Sequence, residues 1–355
     1  MVVLWKVAML SWFRVWAVGR IRREAEVVVA VQGLLRSSGL DAAMRWVSVL
    51  GDEPAFTVLL PVLGWAVAPR STLLVLLTWS STFYLGHALK DTLQLPRPHV
   101  LEPRVVVLEH HFVAEHGLPS THAQAVWAIP PAALIAHAQE AEGGIGGGLT
   151  THPVLWIAAA LCYALLVSFS RVYLGVHSLL DVAAGALLGL LTCLIVVFWL
   201  GPLLIHPFLD AQHHAAPAVL LVLAVHVLLV LVYPRDTQQK QQVSTTFRDT
   251  CAILGVSFGV WASLRAALVP PLSPPSSLGC WLGRVVFGLT AVLAVHLCAR
   301  KLVRALLTAV WPKQREGKEL DKDMAFVATL KFVSYMGIGY VSLGVVPYGF
   351  TLLGL

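Results

Sequence analysis

Three short polar clusters interrupt an otherwise apolar chain, and their residue types suit the transfer of a phosphoryl group. The first is Lys90-Asp91-Thr92-Leu93-Gln94-Leu95-Pro96-Arg97-Pro98. The second is Pro119-Ser120-Thr121-His122, and the third runs from Ser170-Arg171 through His177 to Asp181. Lys90, Arg97 and Arg171 offer positive charge: arginine forks match phosphate oxygens bidentately, and lysine adds a point charge. Ser120 and Thr121 stand where a helix should begin, and the free N–H groups and positive dipole end there favour an anion. His122 and His177 supply a base, an acid or a nucleophile near neutral pH. Asp181 stands four residues after His177, which on a helix puts both on one face. A carboxylate that accepts from one imidazole nitrogen fixes the tautomer and leaves the other nitrogen free to attack. A phosphate cradle, an oriented nucleophile and a separate acid predict a phosphomonoesterase that works through a phosphohistidine.

Each residue also has a plainer reading. Lys90 and Arg97, taken alone near a helix end, would snorkel to a membrane interface. Asp181 resists such a reading, because it sits in a run of Leu, Ala, Gly and Val. A charge at membrane depth costs about 2.5–3.5 kcal/mol even on the lenient insertion scale. His110, His111, His116 and His122 cluster without a metal-ligand spacing and read as loop histidines. Glu109 and Glu115 read as solvated or arginine-paired loop carboxylates. His87, His226 and His296 lie in apolar stretches, where they are expected to find interhelical partners. The five cysteines are read as free thiols.

The elements that must carry these clusters follow from composition. Of 355 residues, 57% are hydrophobic and 12% charged, against about 25% charged in an ordinary soluble domain. That excludes a disordered chain, a soluble nucleic-acid binder and a disulfide-stapled secreted module. Apolar runs long enough to cross hydrocarbon lie near 54–69, 71–89, 122–138, 154–170, 178–200, 216–233, 250–268, 282–299 and 329–353. The expected fold is an all-α polytopic bundle of about nine spans (eight to ten). Segment 1–50 alternates Trp5, Trp12 and Trp16 with Lys6, Arg14 and Arg20 and reads as an interfacial segment. Residues 51–200 are the expected catalytic core, and 201–355 a further membrane region. With each run crossing once, 22 of the 25 Lys and Arg fall on the side of the N-terminus, leaving Arg70, Arg265 and Arg284 opposite. The N-terminus and all three polar clusters are therefore expected to face the cytosol. The net charge of +6 is then topological, and no nucleic-acid partner is implied.

The order Lys-x6-Arg-Pro, Pro-Ser-x-His, Ser-Arg-x5-His resembles the three-part signature of the type-2 phosphatidic acid phosphatase superfamily. The resemblance covers roughly residues 90–181. Within that superfamily it is most similar to the sphingosine-1-phosphate phosphatases and their fungal long-chain-base counterparts. The details are Lys90-Asp91 leading into Pro96-Arg97-Pro98, the stretch from Leu108-Glu109 to Glu115, Thr121 where many members have Gly, and Ser170-Arg171-Val172-Tyr173-Leu174-Gly175-Val176-His177-Ser178-Leu179-Leu180-Asp181. The resemblance implies His177 as nucleophile, Asp181 as its orienter and His122 as the acid on the leaving alcohol and then the base on water. It implies Lys90, Arg97, Ser120, Thr121 and Arg171 as the phosphate cradle, and a reaction that needs no metal and no cofactor. It also implies a phosphorylated long-chain base as substrate, drawn from the bilayer, and residence in the endoplasmic reticulum. Other lipid phosphate or diphosphate phosphatases of the superfamily are the alternative, and a non-catalytic lipid-phosphate binder or transporter a more distant one. Arg265 and Arg284 are expected to anchor at the interface. For residues 201–355, a lateral substrate entry and a homodimer contact are the two roles considered.

Overall fold

The computed structural model describes residues 2–65, 69–109, 115–142, 152–210, 215–234, 243–265, 277–311 and 317–355. Among them the regular structure is helical throughout, with no strand. The loop histidines His110 and His111 lie outside the described residues. The chain forms two compact units. One is Met1–Phe56 with Ser81–Ile195 and Pro234–Asp236; the other is Thr57–Ser80, Val196–Tyr233 and Thr237–Leu355.

The first unit holds every polar cluster. Its helices are α1 (Val2–Leu35), α2 (Ser38–Val49), the start of α3 (Glu53–Gly64), the end of α4 (Pro69–Leu93), α5 (Pro98–Leu101), α6 (Thr121–Glu142), α7 (Pro153–Tyr173) and α8 (Leu179–Ile195). Local sequence explains several boundaries. Proline opens α5 and α7, where its missing N–H costs nothing and its fixed φ suits a first turn. A capping box opens α8: the Ser178 N–H donates to Asp181 Oδ2 at 2.8 Å, and the Asp181 N–H to Ser178 Oγ at 3.2 Å. Gly175 ends the turn after α7 at φ +73°, and a Cβ there would collide with the Val106 carbonyl. Helices α6 and α8 touch through Gly185 and Gly189, whose missing Cβ atoms admit the Ser120 and Gln124 carbonyls of α6.

Segment 1–50 forms two helices, α1 and α2, and it joins this unit. Ala17, Ile21, Ala25 and Val28 of α1 are fully buried, packing near Leu95, Leu118, Val105 and Val172. The burial pattern inverts that of a soluble protein. Arg97, Arg171 and Lys90 are among the largest fully buried side chains, while Val154, Leu155, Ile157, Leu187 and Trp199 are exposed. Lipid as solvent explains both halves of the inversion.

The second unit contains α9 (Gly201–Asp210), α10 (Ala215–Val232), α11 (Thr245–Arg265), α12 (Leu278–Val310), α13 (Met324–Tyr340) and α14 (Val346–Leu353). Gly255 and Gly259 let α11 approach the backbone of α13 at Phe332 and Met336. His226 finds the expected partner, with Nε2 at 3.1 Å from Ser257 Oγ on α11. Arg284 departs from its expected surface role: it is buried and donates to the Leu355 carbonyl at 3.0 Å. All five cysteines are free, Cys193 and Cys251 buried and Cys162 and Cys298 exposed.

Among the described residues, five helical stretches are long and apolar enough to cross a membrane. They are Arg70–Leu101, Pro153–Tyr173, Leu179–Leu209, Leu278–Val310 and Met324–Leu353, with a sixth if the bent pair Ser38–Val49 and Glu53–Gly64 counts as one. The count of nine from the sequence is not reached, for physical reasons. Helix α6 carries His122, Gln124, His137, Gln139 and two glutamates, and α11 opens with Arg248 and Asp249. The apolar part of α10 ends after Ala216–Val232, about 26 Å at 1.5 Å per residue, short of the hydrocarbon core.

Candidate active site

Lys90 lies in the last turn of α4. Its Nζ donates to Glu115 Oε2 at 2.8 Å and to Thr121 Oγ1 at 3.3 Å. Arg97 caps α5 in an extended conformation. Its Nε donates to the Glu115 carbonyl at 2.8 Å and its Nη1 to the Val176 carbonyl at 2.7 Å. The same Nη1 stands 3.2 Å from His177 Nε2. The buried Nη2 makes no hydrogen bond and lies 3.6 Å from Glu115 Oε2, so it has a donor to spend on an incoming oxygen.

Arg171, in the last turn of α7, donates from Nη1 to Glu109 Oε2 at 2.6 Å and to Ser48 Oγ. Its carbonyl accepts the N–H groups of Val176 and His177, each at 3.3 Å. The chain thus curls back after α7 and delivers His177 beside the Arg97 fork. Arginine can only donate, so His177 Nε2 accepts there and the ring proton belongs on Nδ1. That nitrogen faces Asp181 Oδ2 at 3.5 Å, an ion-pair distance but too long for a good hydrogen bond. Burial first, then the charges of Arg97, Arg171 and Lys90, hold His177 well below the usual imidazole range. It is neutral near pH 7, with Nε2 carrying the lone pair a nucleophile needs.

Asp181 is fully buried, with Oδ1 lacking a hydrogen-bond partner. Its carbonyl accepts the Ser120 N–H at 3.0 Å, which ties α8 to the start of α6. The expected one-face spacing of His177 and Asp181 comes about differently, because α8 begins only at Leu179. The capping turn, not a helix face, brings the two together. Ser120 also differs in detail. Its hydroxyl accepts the Ala123 N–H at 3.4 Å, so it caps α6. The Nε2 of His122 stands 2.8 Å from Asp52 Oδ1.

The structure therefore brings Lys90, Arg97, Ser120, Thr121, His122, Arg171, His177 and Asp181 into one unit, all buried. Glu109 and Glu115 turn out to be arginine- and lysine-paired rather than solvated. Burial pushes Glu115 up, but the nearby Lys90 and Arg97 charges outweigh it and hold the carboxyl at about 2. Three supporting residues escaped sequence reasoning. Asp52 lies in the break between α2 and α3. From α1, Glu24 accepts the Leu180 N–H at 2.7 Å, and Gln32 donates to the carbonyls of Val106 at 2.8 Å and Tyr173 at 2.9 Å. The available signal was a polar residue amid apolar neighbours, as at Gln32 after Val27-Val28-Val29-Ala30-Val31.

The model of the PAP2 superfamily matches residues 71–203, which contain all eight of these site residues. Sphingosine-1-phosphate phosphatase 2 of Homo sapiens is 30% identical over 330 residues, covering 87% of this chain and 76% of the relative. The mouse protein of the same name is 28% identical over 327 residues, covering 88% of this chain and 87% of the relative. This chain belongs to the sphingosine-1-phosphate phosphatase family. It is an integral membrane lipid phosphate phosphatase, a phosphoric monoester hydrolase of the PAP2 superfamily. A dihydrosphingosine 1-phosphate phosphatase of Schizosaccharomyces pombe is 23% identical over 297 residues, covering 83% of this chain and 70% of the relative. No solved structure matches this phosphatase. Asp52, Glu24 and Gln32 lie N-terminal to the superfamily match, so residues outside it support the site of this lipid phosphatase.

Proposed function

We propose that the chain hydrolyses long-chain-base 1-phosphates, sphingosine 1-phosphate or dihydrosphingosine 1-phosphate, to the free base and inorganic phosphate. The observation that carries the reading is the seat of His177 Nε2, 3.2 Å from Arg97 Nη1 and within the field of Lys90 and Arg171. The nucleophile and the cradle are therefore one construction. His177 attacks phosphorus and becomes phosphohistidine, and Asp181 orients the ring and steadies the charge it gains. His122 gives its proton to the leaving alcohol oxygen, then takes one from the water that hydrolyses the intermediate. Lys90, Arg97 and Arg171 hold the equatorial oxygens, with the start of α6 at Ser120 and Thr121 adding N–H groups and a favourable dipole. Positive charge that a metal would otherwise supply comes here from side chains. The relatives named for sphingosine 1-phosphate and dihydrosphingosine 1-phosphate support the substrate, as does a cradle in a unit that exposes apolar side chains such as Val154, Leu155 and Ile157. On this reading the enzyme sits in the endoplasmic reticulum with the cradle toward the cytosol. Purified protein with chelator present should release phosphate from sphingosine 1-phosphate, and His177→Ala should abolish the release. Full activity in that variant would sink the mechanism.

A further inference from the structure

A long-chain-base 1-phosphate differs from other single-chain lipid phosphates in the ammonium on C2. Through O1, C1 and C2, that nitrogen lies within about 3–4 Å of the leaving oxygen, given ordinary bond lengths of about 1.5 Å. The residue that protonates the leaving oxygen must therefore stand beside the place where the ammonium comes to rest. In this chain that residue is His122 on the reading above, on which the present inference rests.

The carboxylate beside His122 is Asp52, with Oδ1 at 2.8 Å from Nε2. It is held there by the break between α2 and α3. The Gly51 N–H donates to the Ser48 carbonyl at 2.9 Å, the Asp52 N–H to the Val49 carbonyl at 3.2 Å, and the Tyr163 hydroxyl to the Leu50 carbonyl at 2.6 Å. Gly51 permits the approach: a Cβ there would stand 2.6 Å from Val167 Cγ1 and 3.3 Å from His122 Cδ2. Glu109 pairs directly with Arg171 and Glu115 with Lys90 and Arg97, whereas Asp52 stands against His122 and acts on Arg171 through its charge. Asp52 is also the more open, its side chain 20% exposed against 8% for Glu109 and 4% for His122. It lies outside the superfamily match, which begins at residue 71. The phosphoryl machinery is common to that match, so a carboxylate added from outside it beside the leaving group is placed to select the leaving group.

We infer that Asp52 is a specificity residue that binds the C2 ammonium of the substrate while His122 serves the adjacent oxygen. A charge-assisted contact of this kind separates the amine-bearing substrate from an amine-free one. The test compares dihydrosphingosine 1-phosphate with octadecyl phosphate, with phosphatidate as a third substrate. The wild-type enzyme should favour the amine-bearing lipid in kcat/KM. Asp52→Asn should lower the ratio of the two single-chain substrates by about tenfold or more. A carboxylate that merely positioned His122 would slow both substrates alike, so an unchanged ratio in Asp52→Asn overturns the inference. Asp52→Ser gives the same readout if the first variant does not fold. A wild-type enzyme with equal kcat/KM for the two single-chain lipids also overturns it while leaving long-chain-base 1-phosphate hydrolysis standing. A preference for phosphatidate over both would instead overturn the proposed substrate itself.

Discussion

Asp181 and Glu115 show how a charge can be kept in an apolar protein. Asp181 spends one oxygen on the Ser178 N–H that opens α8 and turns the same oxygen toward His177. Asparagine keeps an oxygen for the helix cap but loses the charge that, in the proposed mechanism, steadies the imidazolium. Asp181→Asn should therefore cost about 10²–10⁴-fold in kcat while moving the melting temperature only slightly, measured together on one preparation in detergent. Glu115 answers Lys90 and Arg97, which hold it at about 2, below the ordinary carboxylate value of 4.5. A carboxyl lowered by folding lends stability that is full above 4.5 and is lost as the pH falls from there toward 2. Between pH 5 and pH 3 the melting temperature of wild type should fall more steeply than that of Glu115→Gln. Parallel curves would mean the ion pair is not coupled to folding. Glu115 also occupies cations that a phosphate must engage, so the same variant should bind inorganic phosphate more tightly, read by competitive inhibition.

In the proposed mechanism helices α6 and α8 carry opposite sides of the chemistry, His122 as acid on one and Asp181 as orienting carboxylate on the other. Their spacing is set where Gly185 meets the Ser120 carbonyl and Gly189 the Gln124 carbonyl. Ser120 links them again through the Asp181 carbonyl, so a change at Gly185 is transmitted to the cradle within one residue. Gly185→Leu should cost about 1–3 kcal/mol by overpacking and lower kcat with it, checked by thermal unfolding and phosphate release. A substitution that lowers stability and leaves kcat intact would show that the cradle does not depend on this contact. The hinge of α7 into α8 works through a different device. Gly175 in the left-handed region turns the chain, and Gln32 of α1 fastens it by binding the Val106 and Tyr173 carbonyls. The N-terminal helix expected to be interfacial thus also serves as a strut of this unit.

Charge asymmetry gives the protein its expected orientation, and it yields a direct experiment. A glycosylation acceptor placed between Leu101 and Val105, beside the cradle, should remain unmodified in cells if the active site faces the cytosol. Modification there would place the cradle in the lumen. The difference between nine expected spans and the five or six found among the described residues has a bearing here, because parity decides on which side each loop emerges. Apolar runs alone could not separate helices that face lipid from those buried in protein. In α7 the exposed Val154, Leu155 and Ile157 face outward, whereas α11 buries most of its residues, and both look alike as strings of hydrophobic letters.

The identity of the chemistry was legible in the chain: lysine, arginines, histidines and a carboxylate at fixed spacings within residues 90–181, set against apolar runs that exclude water-loving alternatives. Those signals are local, carried by residue type and by separations of a few positions. Folding decided what depends on distant partners. It neutralised the cradle with Glu109 and Glu115, placed Asp52 on His122 across 70 positions of sequence, and recruited Glu24 and Gln32 from α1. It also replaced an expected helix face with a capping turn between His177 and Asp181. Spacing is a property of the chain, but which buried charge meets which counter-charge is settled only when several helices close on one another. In an apolar interior each such charge must find its partner or stay unfolded.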